Sequence, residues 1–262
     1  MAKKNSNPYQ NVWVLFTTAT LLLSAGGLMK SFPILVFIGI APMFAISDSA
    51  KDKSTPWNHI ELILLSLAIF LFCASFFDTR NLMFVIVEAI LLALAFAGYA
   101  FSYQNLGNRL GKFTIIFFWL AMEYLMLKLP WRNDFFFLAD TLQLKASWWK
   151  WNADLGYLAS SLWVLIVNLI LYIALFKNST VNWLMVLIAF LFVTVPILYS
   201  VYYIDMPGIN RDQMIALYNN GSTTSTFSEN YTNRAEFVSR SATWVSILII
   251  LLALVKNKIK MK

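Results

Sequence analysis

Phe113-Thr-Ile-Ile-Phe-Phe-Trp-Leu-Ala-Met-Glu-Tyr-Leu-Met-Leu-Lys-Leu-Pro-Trp131 is followed, after an aromatic connection, by Gly156-Tyr-Leu-Ala-Ser-Ser-Leu-Trp-Val-Leu-Ile-Val-Asn168. Both runs are apolar nearly all round, the pattern of helices surrounded by lipid or by other helices. Glu123 falls near the middle of the first run, where an unpaired carboxylate costs roughly 2.5–3.5 kcal/mol on insertion scales. That residue needs a partner. Hydrogen-bond donors would give it a structural role and a bound ligand a functional one, and the two readings stand about even.

Working outward, the chain of 262 residues is 60% hydrophobic and only 13% charged, which excludes an ordinary soluble domain. Further apolar runs lie at 11–27, 32–47 (interrupted by Pro42), 59–77, 82–103, 182–203 and 237–255. With the runs at 113–129 and 155–176 they predict an all-α, polytopic transmembrane bundle of about eight helices in a single domain, 1–262. Ser24-Ala25-Gly26 offers the small residues of a signal cleavage site, yet another apolar run follows almost at once, so the first run is expected to remain as a helix. The link 78–81 is short enough to require an antiparallel hairpin.

Eleven of the twenty Lys and Arg residues fall on the side shared by both termini, in short segments such as the Lys256 to Lys262 tail. Positive residues near helix ends stay inside, so both termini are expected to be cytoplasmic. The aromatic loop 130–154 and the polar segment 204–236 then face outward. The formal charge of +7 does not point to nucleic acid, because the basic residues are scattered at helix ends rather than gathered on a stripe. Gly107-Asn-Arg-Leu-Gly-Lys112 is one residue short of a phosphate-binding loop, and Phe113 stands where a metal-binding Ser or Thr belongs, so it reads as a basic cytoplasmic loop.

The loop 130–154 has the most unusual composition, with Trp131, Trp148, Trp149 and Trp151 set among Arg132, Asp134, Asp140, Lys145 and Lys150. An interfacial aromatic belt accounts for most of it. A sharper reading makes the loop a lip over a cavity, with aromatic faces holding acyl chains and Arg132 or Lys150 meeting a phosphate. Glu123, Trp119, Trp131, Arg132, Trp148 and Trp149 are therefore the candidate lipid- or partner-binding residues. Glu88, about two turns inside its run, reads as a polar contact between helices. Cys73 sits in an apolar run with the lone histidine, His59, on the other membrane side, so it reads as a packing residue. No metal site, cofactor or catalytic residue is expected.

Trp119 and Glu123 four residues apart, Pro130-Trp131 after that helix, and Gly156 and Asn168 on the next helix resemble the membrane half of bacterial apolipoprotein N-acyltransferases. Pro33 and Pro42 in the second run and the 240–244 entry to the last run are also similar to that family. The resemblance implies eight helices with both ends inside, in the bacterial inner membrane. Met126 departs from it, standing where the family has an Arg. The larger departure is that 204–236, rich in Asn, Ser and Thr and without cysteine, stands where the family inserts a nitrilase-type domain. That domain carries the Glu-Lys-Cys set whose thiolate moves an acyl chain from phospholipid to a lipoprotein amine. At most one short amphipathic helix is expected there, near 211–218. Without the nucleophile, the expectation is a non-catalytic membrane protein that binds phospholipid or lipoprotein, or serves as a subunit of a cell-envelope complex. The alternatives are a lipid-modifying acyltransferase using a partner nitrilase chain or its own carboxylates, and a transporter or flippase.

Overall fold

The computed structural model describes residues 11–29, 33–49, 59–78, 82–106, 111–177, 180–205, 208, 210–219 and 236–260. The basic head, the polar turn at 50–58, the centre of the 104–112 loop and the Ser/Thr/Asn-rich run at 220–235 lie outside these residues. The described residues are helical, with no strand among them. The helices are α1 (Val12–Leu28), α2 (Val36–Gly39, entered by a 3-10 turn at Pro33–Leu35), α3 (Ala41–Ser49), α4 (Ile60–Ala74), α5 (Leu82–Leu106) and α6 (Phe113–Lys128). A 3-10 segment at Leu138–Trp148 leads to α7 (Asn152–Leu155), α8 (Ala159–Leu175), α9 (Trp183–Tyr203), α10 (Arg211–Asn219) and α11 (Phe237–Lys260).

Helices α5, α9 and the Phe237–Lys258 part of α11 are long and apolar enough to cross a membrane. The apolar helices Val12–Leu28, Pro33–Asp48, Ile60–Ala74 and Ala159–Leu175 are shorter, below the about 20 residues that match a bilayer core. Helix thus occupies each of the apolar runs, while length and composition alone mark three of them as spans.

The chain α1–α4–α5–α6 packs in sequence, α11 lies on α5 and α6, and α8 joins α2, α3, α6 and α9. Small residues permit the closest crossings. A Cβ on Gly26 would lie 2.6 Å from Val36 Cγ2, and one on Gly39 would lie 2.7 Å from Leu23 Cδ2. The small-residue stretch that resembles a cleavage site therefore seats α1 on α2. On α11 the buried stripe is Ser239, Ala242, Ser246, Ile249 and Ala253, again mostly small. Phe44, within 6.3 Å of both the Phe96 and Tyr172 rings, ties α3 to α5 and α8 at the centre of the core.

Broken backbone in an apolar interior must find side-chain partners, because no water is there to supply them. The interruption expected at Pro42 separates α2 from α3, and Asn168 of α8 closes it. Its Oδ1 accepts from Ile40 N and Ala41 N, both at 2.9 Å, and its Nδ2 donates to Val36 O at 3.0 Å and Val164 O at 2.9 Å. A second repair lies in α9, where Pro196 has no N–H for the carbonyl of Phe192 four residues earlier. Trp163 Nε1 of α8 donates to that carbonyl at 2.7 Å. Lys112, expected among the loop cations, is instead buried. Its Nζ lies 3.0 Å from Asp48 Oδ1 and donates to Phe44 O at 2.6 Å, with the rings of Tyr99 and Tyr172 within 5.0 Å. Burying the ammonium is tolerable because a carboxylate, a carbonyl and two ring faces replace its water.

Candidate functional site: a loop held inside by acids

Helix α6 ends where Leu129 turns extended ahead of Pro130, which cannot continue the hydrogen-bond ladder. A turn follows, with Arg132 N donating to Leu129 O and Asp134 N to Trp131 O. The chain then runs back into the protein. Phe135, Phe137, Leu138, Ala139 and Leu142 are all buried, so hydrophobic side chains draw the segment inward. Their backbone amides come with them, and an unpaired buried N–H costs about 1–3 kcal/mol.

Four consecutive N–H groups are met by four different side chains. Phe136 N donates to Glu88 Oε2 of α5 at 3.0 Å, and Phe137 N to Asp140 Oδ2 at 2.8 Å. Leu138 N donates to Glu123 Oε1 of α6 at 2.9 Å, and Ala139 N to Ser161 Oγ of α8 at 3.1 Å. These are the free donors at the start of the 3-10 segment, where negative charge is most favourable. The buried carboxylate near mid-helix thus has its partner, and it is loop backbone. Trp119 Nε1 adds a second donor to Glu123 Oε1 at 3.1 Å.

Asp140 is the hinge of the arrangement. Tyr157 OH donates to Oδ1 and Arg211 Nη1 to Oδ2, the latter an ion pair. Arg211 Nη2 also donates to Phe135 O at 2.6 Å and Asn133 O at 2.8 Å, and its guanidinium lies 5.9 Å from the Phe137 ring. One arginine from α10 therefore holds the acid and both carbonyls at the point of entry. The Tyr157 ring packs at a tilt against Trp149, with the ring centroids 5.4 Å apart. Glu88, Glu123 and Asp140 lie close enough to repel one another, and Arg211 is the cation among them. Glu88 Oε1 and Glu123 Oε2 make no hydrogen bond of good geometry among the described residues, although the Ser161 hydroxyl stands close to Glu123.

Of the candidate residues, Trp119, Glu123 and Trp149 belong to this buried cluster, Trp149 through Tyr157. Trp131 is 51% exposed, while Arg132 and Trp148 are half-buried and Lys145 Nζ lies 5.8 Å from the Trp148 ring. The loop residue whose backbone meets Glu123 is Leu138, farther along than Trp131 and Arg132. Lys150, a candidate for phosphate, donates its Nζ to Ile204 O at 2.8 Å. Sequence reasoning did not find Ser161, Tyr157 or Arg211. Two adjacent serines at the start of an apolar helix, and three acids in want of a cation, are the signals that point to them.

The cluster is built to satisfy backbone. Among the described residues no group of three His, Cys, Asp or Glu side chains is placed to hold a metal ion, and Cys73 is buried in α4. Comparison with protein-family models, with curated proteins and with solved structures returns no match to this chain.

Proposed function

We propose that this chain is a non-catalytic integral membrane protein of the bacterial inner membrane, similar to the membrane half of apolipoprotein N-acyltransferases. In this reading it binds membrane phospholipid or lipoprotein, or serves as a subunit of a cell-envelope complex. One observation carries the proposal: Glu88, Glu123 and Asp140 are each engaged by the backbone of the re-entrant segment 135–142, as scaffold rather than as free acid or base. An acid whose oxygens accept backbone N–H bonds is poorly placed to abstract a substrate proton. The proposed topology has eight crossings, both termini cytoplasmic and the 130–154 loop outward.

Two experiments test the reading. The purified chain, incubated with phospholipid and a diacylated lipoprotein, is expected to retain lipid or lipoprotein of unchanged mass. Appearance of lysophospholipid, or of a lipoprotein heavier by one acyl chain, would overturn the non-catalytic reading. For topology, Ser147→Cys in a Cys73→Ser background should react with an impermeant thiol reagent on intact cells, whereas reaction only after permeabilisation reverses the orientation.

A further inference from the structure

Helices α6 and α11 present their ends together, and those ends share one carboxylate. Glu236, immediately before α11, has a side chain only 2% exposed. Its Oε1 takes Lys128 Nζ at 2.6 Å, and its Oε2 takes Tyr124 OH at 3.0 Å and Arg240 Nη2 at 2.5 Å. Lys128 is the last residue of α6, and Arg240 lies in the first turn of α11. The two cations are each 44% exposed. The negative partner is thus inside, and the two positive groups reach toward the surface.

The surroundings are those of a membrane interface. Trp131 follows Lys128 by three residues and Trp244 follows Arg240 by one turn, and both are more than half exposed. Aromatic rings of this kind settle at headgroup level. Below them the exposed faces of α6 and α11 are apolar, with Leu125, Leu248 and Leu251 open.

We propose that Lys128 and Arg240 bind the phosphate of an anionic phospholipid, whose acyl chains lie along the exposed faces of α6 and α11. The guanidinium offers a planar fork and the ammonium a compact charge, a pairing suited to one phosphate. Glu236 and Tyr124 set the spacing of the two heads from below. The site rests on the reading that this chain resides in a membrane and binds lipid without altering it.

The test is native mass spectrometry of the full chain in nanodiscs holding equal phosphatidylglycerol and phosphatidylcholine. Phosphatidylglycerol should be retained in preference, and Lys128→Ala or Arg240→Ala should each lower its retention about fivefold. Lys177→Ala, after α8 and outside this cluster, should change nothing. Because an alanine at either cation could destabilise the buried carboxylate, Glu236→Gln supplies a variant of opposite sign: it removes the negative charge beside both cations and should raise retention. Equal retention of the two lipids, no loss in folded alanine variants, a fall in Glu236→Gln, or displacement of the lipid by millimolar inorganic phosphate overturns the site. A retained lipid of altered mass would instead overturn the non-catalytic reading and leave the site standing.

Discussion

Two of the interruptions of regular backbone in the interior are repaired in opposite ways. At 36–41 one neutral amide, Asn168, uses both its oxygen and its nitrogen, making four hydrogen bonds of 2.9–3.0 Å. At 136–139 the repair takes three acids and a serine, with an arginine to offset their charge. The amide is filled to capacity and carries no charge, so it fixes one geometry. The acid cluster is charged, draws its acceptors from three helices and the loop itself, and depends on a helix distant in sequence. The first is a staple, and the second is a place where the protein can be changed without being destroyed.

The largest effect is expected at the staple. Asn168→Leu exposes two N–H groups and a carbonyl to an apolar interior at about 1–3 kcal/mol each, and is expected to abolish the folded protein in thermal melts. A melting curve close to wild type would dissolve the contrast. Next is Arg211→Leu, which leaves Asp140 buried without its cation at a cost of about 3–5 kcal/mol. It should also open the loop, read as reaction of a cysteine placed at the buried Thr141 with a thiol reagent. If position 141 stays protected, the arginine is not the clasp.

Glu123 sharpens the comparison because its two variants should separate. Glu123→Leu removes the acceptor of Leu138 N and Trp119 Nε1, a loss of about 2–6 kcal/mol counted as two orphaned donors. Glu123→Gln keeps an oxygen in the same place and should cost less than about 1 kcal/mol. Equal destabilisation by both would mean that charge, rather than acceptance of hydrogen bonds, is what the loop requires. Far from either repair, Cys73→Ser should cost about 1–3 kcal/mol if the hydroxyl stays unpaired, with the proposed lipid binding unchanged. Lost binding at normal protein levels would return the cysteine to consideration as a reactive group.

Much of this was readable in the chain itself, and the unreadable part has a common cause. The eight apolar runs, the break at Pro42 and the demand of Glu123 for a partner are local, since each follows from a side chain set against its neighbours in one run. The short helix at 211–219 was likewise visible as a brief amphipathic patch. What Glu123 and Glu88 meet is not local: the acceptor bonds reach 15 and 48 residues along the chain. Arg211 and Asp140 are 71 residues apart, and a lone arginine in a polar segment looks like any topology-setting charge. Lys112 misled for the same reason, because its aromatic cage comes from α5 and α8. Asn168 was marked only by position, through the resemblance, and its four bonds needed the fold to appear.

The clasp of Arg211 on Asp140 also sets an order of events during synthesis. Asp140 leaves the ribosome first, and the guanidinium that neutralises it arrives only after α8 and α9 have been made. Until then Asp140 lacks the guanidinium that pairs with it, and the loop carbonyls at 133 and 135 lack their donor. The loop therefore cannot seal while the chain is still growing through α9; it must wait at the wet edge and enter late. Chains released at residue 205 are expected to leave position 141 open to thiol reagents, and those extended through α10 to close it. Translation, on this view, hands the molecule its lock well before its key.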